Sequence, residues 1–261
     1  MSAILSLARR LFRRFFPRLR DPVMDAPLRE CPLDAPCARA YAESLTPTEK
    51  SDTFALGRYE EGRRWRGVLE QVGAPDGPVL DIASGSGGIA LAVAAAGRAI
   101  ISVDSIWGET ARYAHRRAGL AYLHAVGDAE RLPVRAQTFA AVFCMDAIEH
   151  FAAPGRAAEE IASALKPGGC IILTTPPRLA YMFRRDPHFD IPLLLTLPPR
   201  LQRWMAARRG FTDPHHYVGR IFFSARSIAR LFPRCRIERI LNRSRFPGIL
   251  FWDAMVLRKE S

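Results

Sequence analysis

Three aspartates recur at a regular interval in the first half of the chain, each beside a short apolar run. Asp81, Asp104 and Asp128 are separated by 23 and 24 residues. Apolar runs that alternate with helical patterns predict βαβ units and a mainly parallel sheet, whose strands all end at one edge. Carboxylates at that edge can accept hydrogen bonds from ribose hydroxyls and from amino groups. The three aspartates therefore predict a nucleoside pocket at the carboxyl ends of the strands.

A glycine-rich turn follows the first of these aspartates. Gly85 and Gly87 let the backbone pass close to a ligand, and Gly88 opens the following helix. With Ala90, the turn also satisfies the dinucleotide fingerprint G-x-G-x-x-G/A. Asp81 favours the nucleoside pocket over a dinucleotide site, because a carboxylate beside the turn suits an amino group better than a pyrophosphate. Tight turns and helix-capping aspartates could explain any one acid, but they explain all three poorly.

The motifs, in this order, resemble those of class I S-adenosylmethionine-dependent methyltransferases of the small-molecule type, over roughly residues 54–176. The matching segments are the glycine turn at 79–90, Val103-Asp104, residues 127–133, residues 139–151 and residues 165–169. The resemblance implies a Rossmann-like, seven-stranded, mostly parallel sheet in the order 3-2-1-4-5-7-6, flanked by helices. It also implies S-adenosylmethionine as the cofactor. Ala83 departs from the pattern, because the family usually has its first glycine there.

The resemblance assigns roles to the acids. It implies that Asp81 lies near the methionine amino group, Asp104 on the ribose, and Asp128 with Ala129 at the adenine. The predicted cofactor-binding residues are Asp81, Ala83, Ser84, Gly85, Gly87, Asp104, Ser105, Asp128, Ala129 and Met145.

One histidine is the predicted catalytic residue. Methyl transfer from a sulfonium requires little acid-base chemistry, because the donor is already activated and alignment supplies most of the acceleration. A hydroxyl acceptor still needs a base, and the unperturbed pKa of His150 suits proton removal near neutrality. The alternative is that His150 only supports the segment after the fourth strand.

The same segment raises the question of a metal. Residues 144–150 also resemble the ubiquinone-biosynthesis O-methyltransferases, whose acid-x-x-acid-His segment can hold a divalent cation. Asp146, Glu149 and His150 match that segment, with Asp in place of the usual Glu. Oxygen and imidazole ligands would suit a magnesium-class or manganese-class ion. Such segments also occur in methyltransferases without metal, so we predict none and leave this alternative open.

Composition places these motifs in a soluble globular chain of 261 residues, 49% hydrophobic and 25% charged. No apolar run approaches the roughly 20 residues that a membrane span requires. Five cysteines, an odd number spread along the chain, do not form a disulfide framework. We therefore expect a reducing compartment and a cytoplasmic location.

Half of the net charge of +12 lies in the first twenty residues. Six arginines occur there with no acidic residue before Asp21, and apolar residues recur at helical spacing. Residues 1–20 are therefore predicted to form a basic amphipathic helix. It could bind an anionic membrane at its inner face, act as a mitochondrial transit peptide, or dock on the domain.

The remaining segments define the domain organisation. Residues 21–51, rich in proline, are predicted to be a linker, and residues 52–261 the methyltransferase domain. Residues 177–222 interrupt the alternation and are predicted to be an acceptor-side insertion with one helix from Pro199 to Arg208. Strands at 236–242 and 250–258, joined by residues 245–248, are predicted to close the sheet. Within the alternating core, a helix is predicted at 107–117, and Pro167-Gly168-Gly169 is predicted to be a turn before the fifth strand.

The predicted function is S-adenosylmethionine-dependent methyl transfer to a small-molecule or lipid-linked acceptor, quinone-like or glycan-like, at a membrane surface. Two alternatives stay open: an RNA-directed methyltransferase that uses its arginines on phosphate, and a catalytically silent methyltransferase-like binding domain. Nucleic acid is not the expected partner, because arginine replaces lysine almost throughout and part of the charge reflects genome composition.

Overall fold

The computed structural model describes residues 52–85, 87–105, 122–175, 191, 194, 197–210, 225–241, 244–246, 249–251 and 254–260. The basic segment 1–20, the linker 21–51 and the helix predicted at 107–117 lie outside these residues. Most of the insertion predicted at 177–222 also lies outside them.

Short helices and strands alternate along the described chain, as the apolar runs predict. The helices are α1 (Asp52–Gln71), α2 (Gly88–Ala95), α3 (Pro154–Ala164), α4 (Pro199–Arg208) and α5 (Ala225–Ala229), with a 3-10 turn at Ile148–His150. The strands are β1 (Val79–Ile82), β2 (Ile100–Asp104), β3 (Tyr122–Val126), β4 (Phe139–Met145), β5 (Leu165–Thr174), β6 (Cys235–Leu241), β7 (Ser244–Phe246), β8 (Ile249–Phe251) and β9 (Ala254–Lys259).

Seven of these strands form one sheet in the order β3-β2-β1-β4-β5-β9-β6. Strands β1 to β5 are parallel to one another, and β9 lies antiparallel between β5 and β6. With β6 and β9 as the sixth and seventh strands, this is the predicted order 3-2-1-4-5-7-6, which is confirmed.

The C-terminal strands differ from the prediction. The stretch 250–258 is not one strand: β8 ends at Phe251 and β9 begins at Ala254. The predicted connector at 245–248 instead belongs to a separate hairpin, in which Ser244–Phe246 pairs with Ile249–Phe251. Pro247 and Gly248 lie outside the described residues, but the strands on either side of them are β7 and β8, and not β6 and the closing strand.

The fifth strand also begins earlier than its apolar run suggests. The segment Pro167-Gly168-Gly169, predicted to be a turn before the strand, lies within β5. The pairing with β4 jumps from Phe139↔Leu165 to Ala141↔Cys170, so the extra residues bulge out of the ladder.

Two apolar layers enclose the sheet. On one face, α1 and α2 pack through Trp65, Leu69 and Val93 against Val79 and Phe143. On the other face, the strands pack against α3 and α5. A Cβ on Gly62 would lie 2.7 Å from the Ile89 Cα, so this glycine allows α1 and α2 to approach closely.

Among the helices in the described part of the chain, none has the length and apolar character needed to cross a membrane.

Candidate functional site

The parallel strands bring the three aspartates to one edge of the sheet. Asp104 is the last residue of β2, as predicted. Asp81 is the next-to-last residue of β1, which ends at Ile82, and Asp128 lies two residues beyond the end of β3. Because β1 pairs with β2, and β2 with β3, the three carboxylates follow successive neighbouring strands. This is the edge where open α/β sheets bind their ligands.

Strand alternation sets the direction of the Asp81 side chain. Val79 packs against the α1 and α2 layer, whereas Leu80 and Ile82 belong to the opposite layer, so Asp81 faces the first. The residue is only 2% exposed, and its Oδ2 has no hydrogen-bond partner among the described residues. Burial raises the pKa of Asp81 to about 7; Arg58 opposes the rise and Asp104 adds to it. A buried carboxylate oxygen of this kind is suited to accept a hydrogen bond from a cationic ligand.

Asp104 joins the second strand to the glycine turn. Its Oδ2 accepts a hydrogen bond from the backbone N–H of Gly85 at 2.8 Å. Ser105 donates to the other carboxylate oxygen, Oδ1, over a longer 3.4 Å. Gly85 is exposed, so this contact lies at the surface of the edge and can share its carboxylate with a ligand.

The turn after β1 depends on three residues in left-handed conformations. Ala83, Gly85 and Gly87 have φ of 54°, 53° and 71°. The Ala83 N–H donates to the Val103 carbonyl at 2.8 Å, which extends the β1–β2 pairing by one residue. The structure thus explains why glycine is usual at position 83: an alanine in this conformation costs roughly 1–2 kcal/mol.

Ser84 lies at the centre of this turn. The Gly87 N–H donates to its carbonyl at 2.8 Å. Its Oγ is buried and, within the described ranges, has no hydrogen-bond partner. A hydroxyl in this position is available to a ligand that enters the turn.

Asp128 stabilises its own turn. Its Oδ1 accepts the Glu130 N–H at 2.8 Å, and its carbonyl accepts the Arg131 N–H at 3.0 Å. This is the capping role that the purely structural interpretation assigns to such a residue. Asp128 is nevertheless exposed, and the neighbouring Ala129 is partly buried against the core. The second carboxylate oxygen can therefore serve a ligand beside Ala129.

Strand β4 ends at the same edge. Met145, its last residue, is 4% exposed and belongs to the α1 and α2 layer. Asp146 follows in a left-handed conformation with φ of 50°, and its N–H donates to the Thr174 Oγ1 at 2.8 Å. This hydrogen bond fixes the backbone at the end of β4 to the end of β5.

Arg58 is a site residue that the sequence analysis missed. It lies on α1, where its guanidinium donates to Glu61 at 2.7 Å and lies 4.0 Å from the Asp146 Oδ2. Burial lowers the pKa of Arg58, but the carboxylates of Glu61, Asp146 and Asp81 outweigh this, so the net shift is upward. In a chain with so many arginines, nothing in its spacing distinguishes it.

Glu149 and His150 occupy the 3-10 turn after β4. The Glu149 Oε1 lies 3.9 Å from the His150 Nε2, and Glu149 is 5% exposed. Burial raises the pKa of Glu149 to about 8; its own backbone amide opposes the rise, Asp146 adds to it, and Thr175 opposes it. The imidazole is partly exposed, so it can reach a ligand while its neighbour stays buried.

The metal alternative gains no support from this geometry. In the described ranges, no group of three His, Cys, Asp or Glu side chains is arranged to hold an ion. Asp146 is directed toward Arg58, whereas Glu149 is buried beside His150.

Comparison with known proteins agrees with the fold. Residues 80–173 match the model of a methyltransferase domain family. Two demethylmenaquinone methyltransferases are similar to part of the chain. The protein from Renibacterium salmoninarum is 31% identical over 125 residues, 47% of this chain and 51% of that protein. The protein from Beutenbergia cavernae is 32% identical over 132 residues, 49% of this chain and 53% of that protein.

Among solved structures, the fold resembles Burkholderia thailandensis 1,6-didemethyltoxoflavin-N1-methyltransferase, with bound 1,6-didemethyltoxoflavin and S-adenosylhomocysteine. The TM-score is 0.51 at 16% identity, and the match covers 89% of this chain and 94% of that one. The chain spans about half the length of the curated relatives it matches.

Residues 80–173 thus match a methyltransferase domain family, and the sheet order is the one that class I S-adenosylmethionine-dependent methyltransferases are expected to have. S-adenosylmethionine is the cofactor of that class. The match at 80–173 includes Asp81, Asp104 and Asp128, so the three aspartates lie within the matched region.

Proposed function

We propose that this protein transfers the methyl group of S-adenosylmethionine to a lipid-linked, quinone-like acceptor in its reduced, hydroxyl-bearing form. The observation that carries the proposal is the arrangement of Asp81 and Asp104 around the left-handed turn at 83–87. The quinone-like class is favoured over a glycan-like one because both similar proteins are demethylmenaquinone methyltransferases.

The residues of the edge fit the polar groups of the cofactor. The buried Asp81 Oδ2 suits the methionine ammonium, and the nearby cation of Arg58 suits the methionine carboxylate. Asp104 would accept the ribose hydroxyls while it holds Gly85, and its exposed contact with that glycine supports this role. Asp128 and Ala129 would lie at the adenine, and Ser84 has a buried hydroxyl free for the methionine part. Bound in this way, the cofactor supplies an electrophilic methyl group that needs no further activation.

His150 is proposed as the base. The acceptor hydroxyl loses its proton to the imidazole, which makes the acceptor nucleophilic. The deprotonated hydroxyl would push electron density onto the unmethylated ring carbon, to which the bound cofactor would supply its methyl group. The bond from that methyl to sulfur would break as the carbon–carbon bond forms, S-adenosylhomocysteine would leave, and the proton of the ring carbon would pass to solvent as the ring regains aromaticity. The partly exposed imidazole beside the buried Glu149 supports this role.

We place the reaction in the cytoplasm, at the inner face of a membrane, because a lipid-linked acceptor is dissolved in the bilayer and is reached at its surface. The basic segment 1–20 is the proposed anchor, with its arginines on anionic headgroups and its apolar residues among acyl chains. Deletion of residues 1–20 is expected to weaken sedimentation with anionic liposomes and to leave cofactor affinity unchanged. Equal sedimentation of both proteins would refute the anchor.

Methyl transfer can be tested directly. The purified protein is incubated with methyl-labelled S-adenosylmethionine and a reduced naphthoquinone that carries a prenyl chain and an unmethylated ring position. We expect label in the quinone and an equal amount of S-adenosylhomocysteine. Cofactor binding without transfer to any member of a quinol panel would favour the catalytically silent alternative. Label in RNA instead of quinol would favour the RNA-directed alternative.

A further inference from the structure

Helix α4 has one buried face, which few residues cover in the described part of the chain. Gln202 and Ala206 are buried, four residues apart, and Ala206 packs with Ile191 and Leu194. The Gln202 Nε2 donates to the Leu197 carbonyl at 2.7 Å, which fixes the chain just before the helix. The helix is thus held by a narrow stripe, beside which Met205 is partly buried, and its opposite side is exposed to solvent.

The outer face of α4 carries large apolar side chains. Trp204 is 52% exposed and Leu201 is 40% exposed, and they are three residues apart on one side of the helix. Single exposed apolar residues are ordinary, but an exposed tryptophan beside an exposed leucine on one helix face is typical of an interaction surface.

Arginines surround this apolar pair. Residues 197–210 contain Arg200, Arg203, Arg208 and Arg209 and no acidic residue. The Arg208 guanidinium lies 4.3 Å from the centre of the Trp204 ring, so a cation stacks on the exposed indole. An interfacial helix combines an apolar face for the acyl boundary with cations for anionic headgroups, and the amphipathic indole favours that boundary.

We propose that α4 docks on an anionic phospholipid bilayer, with Trp204 and Leu201 in the acyl boundary and the arginines on the headgroups. This surface is separate from residues 1–20, and the proposal does not require methyl transfer. A bilayer fits better than RNA because Leu201 adds exposed aliphatic surface, which a nucleic-acid backbone does not use. Helix α4 lies in the segment predicted to bind the acceptor, so docking would bring that segment to an acceptor dissolved in the bilayer.

A local optical measurement tests the contact. Vesicles of phosphatidylcholine and phosphatidylglycerol with brominated acyl chains quench a tryptophan only when it reaches the chains. The full-length protein contains four tryptophans, Trp65, Trp107, Trp204 and Trp252. We expect the vesicles to quench its fluorescence, and Trp204→Phe to remove a distinct part of that quenching while the phenylalanine keeps the helix docked. Equal quenching in both proteins, or none in either, would overturn the proposal.

Charge variants test the headgroup contact. Each arginine near an anionic surface strengthens binding by roughly fivefold, so the double variant Arg200→Gln, Arg208→Gln should bind roughly 25-fold more weakly at low salt. The matched control is Arg234→Gln with Arg236→Gln: both side chains are exposed, at the amino end of β6, on the edge opposite the aspartates. Equal weakening in both pairs would contradict the proposal. A change in Trp204 fluorescence caused by single-stranded RNA, but not by vesicles, would also contradict the proposal.

Discussion

The Gly85 N–H donates to the Asp104 Oδ2 at 2.8 Å, and this one contact joins the end of β2 to the turn after β1. The contact holds the turn in an open left-handed conformation and keeps the carboxylate at the edge where the ribose is expected. Asp104 therefore shapes the turn, and we propose that it binds the nucleoside as well.

Asp104 variants can separate these roles. We expect Asp104→Ala to lower S-adenosylhomocysteine affinity by roughly tenfold to a hundredfold, because hydrogen bonds to a charged group contribute about 1.5–3 kcal/mol each. Asp104→Asn keeps an acceptor for the Gly85 N–H and should lose less S-adenosylhomocysteine affinity than Asp104→Ala. The measurement is the rise in melting temperature that the ligand causes. Asp76→Ala, at an exposed position before β1, is the matched control and should behave as wild type. Equal effects of the Asp76 and Asp104 variants would refute the assignment.

The alanine in the glycine turn is expected to reduce stability. Ala83→Gly removes the strain of an alanine at a φ of 54°, which stabilises the fold by roughly 1–2 kcal/mol. The glycine also gives the unfolded chain more conformational entropy, which destabilises the fold by about 0.4–1 kcal/mol. We expect a net gain of about 0.5–1 kcal/mol in the free energy of unfolding, measured by urea denaturation. Gln137→Gly is the control, since Gln137 has a φ of 51° outside the site. Both variants should gain stability, and only Ala83→Gly should change cofactor affinity. A loss of stability in Ala83→Gly would contradict the interpretation of the turn.

Cofactor affinity should depend on pH through Asp81. Burial raises the pKa of this carboxyl to about 7, so below that pH it is mostly protonated in the free protein. A ligand ammonium favours the ionised form, so binding expels the proton and lowers the pKa. Affinity should therefore rise by up to about tenfold per pH unit below pH 7 and level off above it. Equilibrium dialysis of S-adenosylhomocysteine across this range measures it. Asp81→Asn should bind weakly with a flat profile, and an equally steep profile in that variant would exclude Asp81.

The stability of the fold should fall with rising pH through Glu149. Its pKa is about 8 in the folded protein, well above the ordinary carboxyl value, because burial penalises the charge. The contribution of the protonated Glu149 to the free energy of unfolding is fully present below about pH 4.5 and is lost as the pH rises through 8. Glu149→Gln should therefore gain stability relative to wild type over this window, by a few kcal/mol at pH 9.

Glu238 provides a contrast of opposite sign. Its hydrogen bond from Arg258 lowers the pKa of Glu238, so its contribution is present above the ordinary value and lost as the pH falls. Glu238→Gln should lose stability at neutral pH and match wild type in acid. Denaturant midpoints measured across pH would reveal both trends. The same sign for both variants would contradict the assigned environments.

His150 should affect turnover and not binding. We expect His150→Asn to lower kcat by roughly a hundredfold to ten-thousandfold, the usual contribution of a general base, with unchanged cofactor affinity. His124→Asn is the control histidine, because its ring contacts the Ser102 Oγ at 2.8 Å within the sheet. If turnover falls equally in both variants, His150 has only the supporting role.

The sequence predicts the sheet well because strand and turn signals are local. The interval between Asp81 and Asp104 follows from one βαβ unit, whereas the helix predicted between Asp104 and Asp128 lies outside the described residues. The order 3-2-1-4-5-7-6 came from the resemblance. The C-terminal hairpin was misplaced because a Pro-Gly turn indicates that two strands meet but not which two. The bulge in β5 was missed since a proline and two glycines normally mark a turn.

The site was predicted less completely. Asp81, Asp104 and the glycines carry a recognisable spacing. Arg58 reaches the edge because α1 packs in the apolar layer that α2 and Val79 share, and a tertiary contact of this kind has no local signal. The strain at Ala83 was visible only as a departure from the family. Its cause, a φ of 54°, requires the backbone. The buried state of Glu149 likewise follows from the turn after β4 and not from its neighbours in sequence.

The central claim is that the edge formed by Asp81, Asp104 and Asp128 binds S-adenosylmethionine. Isothermal titration calorimetry of the full-length protein with S-adenosylmethionine and S-adenosylhomocysteine tests it most directly. We expect one binding site with a Kd in the micromolar range or below, and a loss of roughly tenfold or more in Asp104→Ala. The absence of binding at several hundred micromolar ligand, or equal affinity in the variant, would contradict the claim.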